Sequence, residues 1–226
     1  AKASGLMHCN CRHAVSLYID LDKEIEELEA ELNLTPEEEE NYLEVEGLPE
    51  AAKTGLAKAL TEALQHGFKT RTECLLHIDK NTGKSVYSKV EGTTNEVVFP
   101  QPLIDFLDNA ALNSVIQIHN HPGSSSFSSA DLKVMSYYKS ISHIAVIGHD
   151  GRRYIAKVGQ GLRPTSKEIS LEWKAAHDKH FNYFNNKVGR GELSPEDAWK
   201  AHSHLIIEEV AEKFGWEYRR VMPNEK

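Results

Sequence analysis

The apolar run "SVIQI" at residues 114–118 constrains the fold most, because it leads directly into two histidines and a proline in "HNHP". A short run rich in Val and Ile predicts a buried strand. Strand side chains alternate between two faces, so His119 and His121 would leave its end on one face and Asn120 on the other. Pro122 lacks a backbone N–H and would end the strand. The sequence therefore predicts two imidazoles side by side at a strand end.

Further strands and helices are predicted around this run. The other predicted strands cover 72–79, 84–91, 142–149 and 152–159, and the predicted helices cover 102–112 and 129–140. Strands that alternate with helices indicate a mixed α/β domain, which we place at residues 68–162. Residues 1–67 form a predicted acidic, helical appendage whose last helix, at about 49–66, ends at Gly67. Residues 163–226 form a predicted C-terminal helical extension.

Helix start and stop signals are clearest near the two ends of the chain. "TPEE" at 35–38 has a threonine cap, a proline at the first helical position and a glutamate that closes a capping box. Later, Ser194 and Pro195 open a helical pattern that stops at Gly215. Both signals predict helices outside the central domain, and the C-terminal ones could either cover the sheet or bind a partner.

Composition narrows the class of protein. The 226 residues are 40% hydrophobic, which predicts a packed core, and the net charge of −8 argues against nucleic acid as the main partner. No apolar run approaches about 18 residues, so no membrane span is expected. Three cysteines suggest reduced thiols, which fits a cytoplasmic setting.

A carboxylate follows the two histidines at a spacing that suits metal binding. Asp131 falls in the first turn of the predicted helix at 129–140, where it would face back toward the strand end. His119, His121 and Asp131 would then form a set of three ligands with an open fourth position, which is typical of a catalytic zinc. The small residues between Pro122 and Asp131 would turn tightly and leave room for a substrate.

Two further residues are candidates for the chemistry around a zinc-bound water. Ser128 could donate a hydrogen bond to an oxyanion, or it could simply cap the next helix, with Ser129 as the other candidate for the cap. Glu73 opens the apolar strand "ECLLHID" and is our candidate general base, although it could equally be a solvent-exposed residue of a strand edge. The weaker candidates for the base are Glu91, Glu96 and Glu62.

Other residues with ligand or aromatic side chains have simpler interpretations. His8, Cys9, Cys11 and His13 are too closely spaced for a zinc-finger pattern, and a structural turn is favoured over a metal site. Four histidines on predicted helices lack a nearby cluster of carboxylates or cysteines, so we expect them to face solvent; they are His177, His180, His202 and His204. Four aromatic residues are expected to serve packing, namely Trp173, Phe181, Phe184 and Trp199.

The stretch "HNHPGSSSFSSAD" resembles the H-x-H-P…S-x-x-D signature of JAMM (MPN+) metalloproteases, and "TECLLHIDKNTGKSVY…IQIHNHP" is most similar to the RadC-like branch. The resemblance implies a JAMM fold, of the cytidine-deaminase-like class, in which helices flank a curved mixed sheet. It also implies that His119, His121 and Asp131 hold Zn²⁺, that Glu73 is the general acid/base and that Ser128 stabilises the oxyanion. This chain departs from the pattern in its loop, which has one or two residues fewer before the serine.

The family hydrolyses isopeptide or peptide bonds, often at the end of ubiquitin-like proteins. The resemblance therefore implies a zinc-dependent, deubiquitinase-like isopeptidase that acts on a protein substrate. A nuclease is a further alternative, but the acidic balance disfavours it.

A second resemblance concerns "MHCNCRHAVSLYI" near the start of the chain, which is similar to the end of phage Mu F-type minor capsid (head morphogenesis) proteins. It implies a phage virion or a prophage-encoded protein, with phage head proteins as partners or substrates. The alternative to an enzyme is accordingly a noncatalytic minor capsid or assembly protein that a metal stabilises.

Overall fold

The computed structural model describes residues 45–159, 161 and 163–223. The predicted helix at 35–38, the cluster from His8 to His13 and the phage-like segment lie outside these described residues. The elements are, in chain order, α1 (Glu50–Thr70), β1 (Cys74–Asp79), β2 (Ser85–Glu91), α2 (Gln101–Asn109), β3 (Val115–His121), α3 (Ser129–Tyr137), β4 (Ile141–Gly148), β5 (Arg153–Lys157), α4 (Ser166–Gly189), α5 (Pro195–Phe214) and β6 (Glu217–Val221).

The strands form one six-stranded mixed sheet in the order β2-β1-β3-β4-β5-β6. Strands β3 and β4 pair in parallel at its centre, and every other neighbouring pair is antiparallel. The parallel pair requires a crossover, which contains α3. The predicted mixed α/β architecture is confirmed at this level: five helices accompany the sheet within the described residues.

The centre of the sheet is buried on both faces, which explains the continuous apolar run of β3. Helix α1 covers one face, where Leu56 and Leu60 share a buried cluster with Ile116 and Ile118. On the other face Val115 belongs to a second cluster, to which α2, α3, α4 and α5 all contribute. All seven residues of β3 are buried. Helices therefore pack against both faces of β3.

Helix α1 continues past the predicted stop at Gly67. It ends at Thr70, and Arg71 adopts the left-handed conformation of the cap with φ +61°. A Cβ on Gly67 would come within 2.4 Å of Asn120 Nδ2 and 2.3 Å of His149 Nε2. The glycine thus permits close helix–sheet packing instead of ending the helix. The described part of the segment before residue 68 packs directly on the sheet.

The C-terminal segment contains a strand as well as helices. The predicted helix signals at Ser194, Pro195 and Gly215 are confirmed as the cap, first residue and left-handed end of α5. The prediction of helices alone was wrong for β6, which pairs with β5 and forms one edge of the sheet. An edge strand is partly exposed and so has few apolar residues. The segment "EYRRV" lacks the strict alternation of apolar and polar residues that indicates a half-buried strand. None of the helices in the described part of the chain combines the length and apolarity that a membrane span requires.

Candidate metal centre

Three predicted ligands meet where β3 ends and α3 begins. Nε2 of His119 lies 3.0 Å from Nε2 of His121. Asp131 places Oδ1 3.3 Å from the first of these nitrogens and Oδ2 3.7 Å from the second. Within the described residues, this is the one group of three or more His, Cys, Asp or Glu side chains close enough to share a metal ion.

The spacing of these donor atoms suits a small ion. Bonds of 2.0–2.1 Å to a tetrahedral ion put neighbouring ligand atoms about 3.3 Å apart. The observed separations of 3.0, 3.3 and 3.7 Å bracket this value. Two imidazole nitrogens and a carboxylate are also a donor set that zinc accepts. The group could therefore hold a metal ion, and the shortened loop does not prevent its members from meeting.

Hydrogen bonding orients the His121 ring toward the other two side chains. Its Nδ1 lies 3.0 Å from the carbonyl oxygen of Ser125, a distance at which an N–H donates to that oxygen. A proton on Nδ1 leaves the lone pair of Nε2 free for a metal. The buried Nδ1 of His119 has no hydrogen-bond partner in the structure. His121 is thus the histidine whose tautomer the protein sets through its own backbone.

Asp131 is held by the cap of α3. Ser128 is the N-cap: its backbone N–H and its hydroxyl donate to Asp131 Oδ2 over 2.6 and 2.7 Å, and its Oγ accepts from the Asp131 N–H. Burial favours the neutral acid, but the adjacent imidazoles of His119 and His121 and the Ser128 hydroxyl outweigh it and hold the pKa of Asp131 below its usual value. The carboxylate is therefore ionised and ready to bind a cation at neutral pH.

Glu73 directly precedes β1, whose ladder with β3 begins at the pair of Leu75 and His119. Leu75 pairs with His119 in antiparallel register, so continuing the ladder by two residues sets Glu73 opposite His121. Directly opposed residues share a face of the sheet. Glu73 is half-buried and is not among the three clustered ligands. This placement suits a group that acts beside a metal without binding it.

Asn120 holds the backbone on both sides of Glu73. Its side chain is fully buried on the α1 face, where Oδ1 accepts from the N–H of Cys74 over 2.8 Å and Nδ2 donates to the carbonyl of Thr72 over 3.0 Å. The start of β1 is thus tied to the strand that carries His119 and His121. Sequence reasoning assigned Asn120 no role, although a buried amide between two candidate ligands was a usable signal.

The other candidates for the base lie away from this centre. Glu91 pairs with Cys74, which faces α1, and both Glu91 and Glu62 approach Lys89 to 4.0 Å. Glu96 is exposed in the loop after β2. Glu73 is therefore the one of the four whose strand register leads to the histidines.

Residues 122–128, here called the serine loop, are packed more tightly than the sequence suggests. Ser124, Ser126 and Phe127 are buried, and Ser124 has a left-handed backbone with φ +54°. The Ser124 Oγ accepts from the N–H of Asp150, and its carbonyl accepts from the hydroxyl of Tyr154. Much of the loop that we expected to leave room for a substrate is thus anchored to the protein by its serines.

The helical histidines do not form a second centre, but the expectation that they face solvent was wrong. His202 is fully buried among aromatic rings, and burial lowers its pKa to about 4. His180 contacts Glu209 at 2.6 Å, and His204 contacts the hydroxyl of Tyr218 at 2.8 Å. The expected packing role of the aromatic residues is confirmed, since Phe184 lies in a cluster with Phe181 and Trp199. Trp173 packs against the larger core.

No family model, curated protein or solved structure matches this chain significantly.

Proposed function

We propose that this protein is a zinc-dependent hydrolase that cleaves isopeptide or peptide bonds, with a JAMM-type centre. One observation carries the proposal: His119, His121 and Asp131 converge with metal-ligand spacing, and no fourth His, Cys, Asp or Glu joins them within the described residues. A catalytic zinc has three protein ligands and one position for water, whereas a structural zinc has four. The mixed sheet, with both histidines at the end of a central strand, supports the JAMM resemblance.

Zinc bound at this centre would supply a Lewis acid and would lower the pKa of a water molecule toward about 7. The ligands supply one negative charge through Asp131, whose pKa is held low by its histidine neighbours. The Ser125 carbonyl keeps a proton on Nδ1 of His121, so that Nε2 faces the ion. These residues would bind the ion without taking part in proton transfer.

Glu73 is the residue that we assign to proton transfer. The assignment is supported by the register of β1 and β3, which when continued sets Glu73 opposite His121, and by the hydrogen bonds of Asn120 to the backbone on either side of Glu73. It would accept a proton from the attacking water and pass it to the leaving amine, as general base and then general acid. The backbone N–H of Glu73 donates to the carbonyl oxygen of Thr93 over 2.8 Å, which further restrains the Glu73 backbone.

Ser128 is the residue that we assign to the oxyanion. Ser128 is an exposed residue, and its hydroxyl donates to the ligand Asp131. On substrate binding it would turn this donor toward the carbonyl oxygen that develops negative charge. The backbone of α3 keeps its cap in either case, because the Asp131 side chain still accepts from the Ser128 N–H.

The substrate that we propose is a protein, of the ubiquitin-like or phage structural class, and the setting is the cytoplasm or a phage particle. These assignments rest on the two sequence resemblances. A panel of ubiquitin-like and phage structural proteins as substrates tests them.

The decisive experiment compares Glu73→Gln with Glu91→Gln. We expect Glu73→Gln to retain zinc, measured by elemental analysis, and to lose at least 100-fold in cleavage of the ubiquitin-like or capsid-derived substrate that the parent cleaves. Glu91→Gln should behave as the parent, because Glu91 is exposed on the other side of the sheet. Equal cleavage by Glu73→Gln and the parent would refute the assignment of Glu73.

The noncatalytic alternative predicts a different outcome. A metal that bridges β3 and α3 would stabilise the fold, so chelation would lower the unfolding temperature although no substrate of either class is cleaved. Stabilisation together with cleavage by the parent would leave the hydrolase as the better interpretation.

A further inference from the structure

We propose that the C-terminal segment, residues 163–223, is part of the metal centre, because Tyr218 positions the serine loop that orients the ligand His121. The proposal rests on the metal site of the proposed function but not on its hydrolytic step. The role assigned to Tyr218 is that of a positioning residue, since its hydroxyl contacts Ser126 and not a ligand.

The first link joins His121 to the serine loop. Its Nδ1 contacts the carbonyl oxygen of Ser125 at 3.0 Å, and the hydroxyl of the same serine lies 3.5 Å away. The direction of this ring, and with it the direction of Nε2, therefore depends on where the loop places one carbonyl group. Partners of this kind tune metal affinity although they do not touch the metal.

The second link joins the loop to the C-terminal segment at the next residue. Ser126 is buried, and its N–H donates to Oγ of Ser203 on α5 over 3.2 Å. Its hydroxyl lies 2.8 Å from the hydroxyl of Tyr218 on β6. The backbone N–H and the hydroxyl of Ser126 are thus bound to elements that lie more than 70 residues further along the chain.

The chain of hydrogen bonds ends on α5. The Tyr218 hydroxyl lies 2.8 Å from Nδ1 of His204. Burial lowers the pKa of His204 to about 4, so its ring is neutral at pH 7 and can accept at Nδ1. The Tyr218 oxygen can then accept from the Ser126 hydroxyl. All three groups are satisfied only while Tyr218 keeps its oxygen.

A third link fixes the loop on the other side of Ser125. Lys200 of α5 lies 3.0 Å from Asp150, and the Asp150 N–H donates to Oγ of Ser124 over 3.1 Å. Ser124 and Ser126 are therefore both tied to α5, one through the turn between β4 and β5 and one directly. The carbonyl that orients His121 lies between these two anchors.

Tyr218→Phe tests this inference, with Tyr183→Phe as the matched control. The change removes one oxygen and keeps the ring, whereas the control removes the hydroxyl of a tyrosine on α4 that is 54% exposed. We measure Zn²⁺ affinity by competition with a chromophoric chelator, and we record the visible absorption of the Co²⁺-loaded chain, which reports ligand geometry. We expect Tyr218→Phe to weaken Zn²⁺ binding about 3- to 10-fold and to change the Co²⁺ spectrum, with no change in the control.

Ser126→Ala removes the same hydrogen bond from the loop. We expect it to weaken Zn²⁺ binding to a similar extent, and the double variant to be no weaker than either single variant, because both changes break one link. If Tyr218→Phe does not fold, Ser126→Ala decides the question alone. A purely structural role would lower the unfolding temperature but leave the Co²⁺ spectrum as it is.

The outcomes separate this inference from the proposed function. Parent-like Zn²⁺ affinity and Co²⁺ spectrum in the two variants would overturn the inference only. A parent chain that binds no Zn²⁺ would overturn both proposals. Tight Zn²⁺ binding without cleavage, together with the expected losses in Tyr218→Phe, would overturn the hydrolase and support the inference.

Discussion

The motif Ser-x-x-Asp begins two helices of this protein, with very different consequences. In α3 Ser128 caps the helix and donates to Asp131, and in α5 Ser194 caps the helix and donates to Asp197, both over 2.7 Å. Asp131 is largely buried, with 18% of its side chain exposed, whereas Asp197 is exposed. Only the first carboxylate meets imidazoles.

The difference shows how a local stabilising device becomes a candidate site. Capping requires only residues three apart in sequence, so both helices have it. Metal binding requires side chains from a second element, and β3 delivers them to α3 alone. The cap then has two roles at α3, since it starts the helix and it fixes one oxygen of a ligand.

The strongest test of this comparison exchanges each aspartate for its amide. We expect Asp131→Asn to weaken Zn²⁺ binding at least 100-fold, because it removes the only negative charge among the three clustered ligands. Asp197→Asn should leave Zn²⁺ binding within twofold of the parent. Isothermal titration of the two variants measures both values, and similar Zn²⁺ affinities would contradict the assignment of Asp131 as a ligand.

A second test concerns the buried histidine of α5. The pKa of His202 is lowered from 6.5 to about 4 by burial. The unfolded chain therefore takes up a proton first as the pH falls, so the contribution of His202 to stability is complete above about pH 6.5 and is lost toward pH 4. We expect His202→Gln to reduce the loss of unfolding free energy between pH 7 and pH 4.5 by on the order of 2 kcal/mol.

Urea unfolding at the two pH values measures this effect. The parent should remain the more acid-sensitive chain even though other histidines also titrate, among them His77 and the partly buried His149, whose pKa values are likewise lowered to about 4 by loss of hydration. An equal loss of stability in the parent and in His202→Gln would show that His202 is not held neutral.

The smallest expected effect comes from the two capping serines. Ser128→Ala and Ser194→Ala should each lower the free energy of unfolding by about 1 kcal/mol in the metal-free chain. Only Ser128→Ala should also weaken Zn²⁺ binding, by a few fold, because its hydroxyl donates to a ligand oxygen. Thermal unfolding and chelator competition measure the two quantities, and a matching Zn²⁺ loss in Ser194→Ala would remove the distinction between the two helices.

Much of the fold was predictable from local patterns. Helix α5 was predicted almost to the residue, because its cap, first-turn proline and terminal glycine lie within its own sequence. The central strands were predicted from their apolar runs, and the alternation of β3 placed His119 and His121 on one face. Asp131 was predicted as their partner because it lies in the first turn of the next helix.

Other features depended on distant parts of the chain and were missed. Gly67 resembles a helix end, but its lack of a side chain serves the packing of α1 against Asn120 and His149. The small residues of the serine loop predicted room for a substrate, but its serines bind to β5, β6 and α5. His202 lies on a polar helix, but the rings of Phe184, Trp199 and His177 pack around it.

The amino-acid sequence by itself determined where helices begin and end and which strand side chains share a face, because hydrogen bonds and alternation of this kind involve residues close in the chain. Only the tertiary structure decided that Gly67 lies against Asn120 and His149, that His202 is buried, and that β6 supports the serine loop. Contacts between segments far apart in the chain depend on which surfaces the whole chain can bury together, and no short segment contains that information.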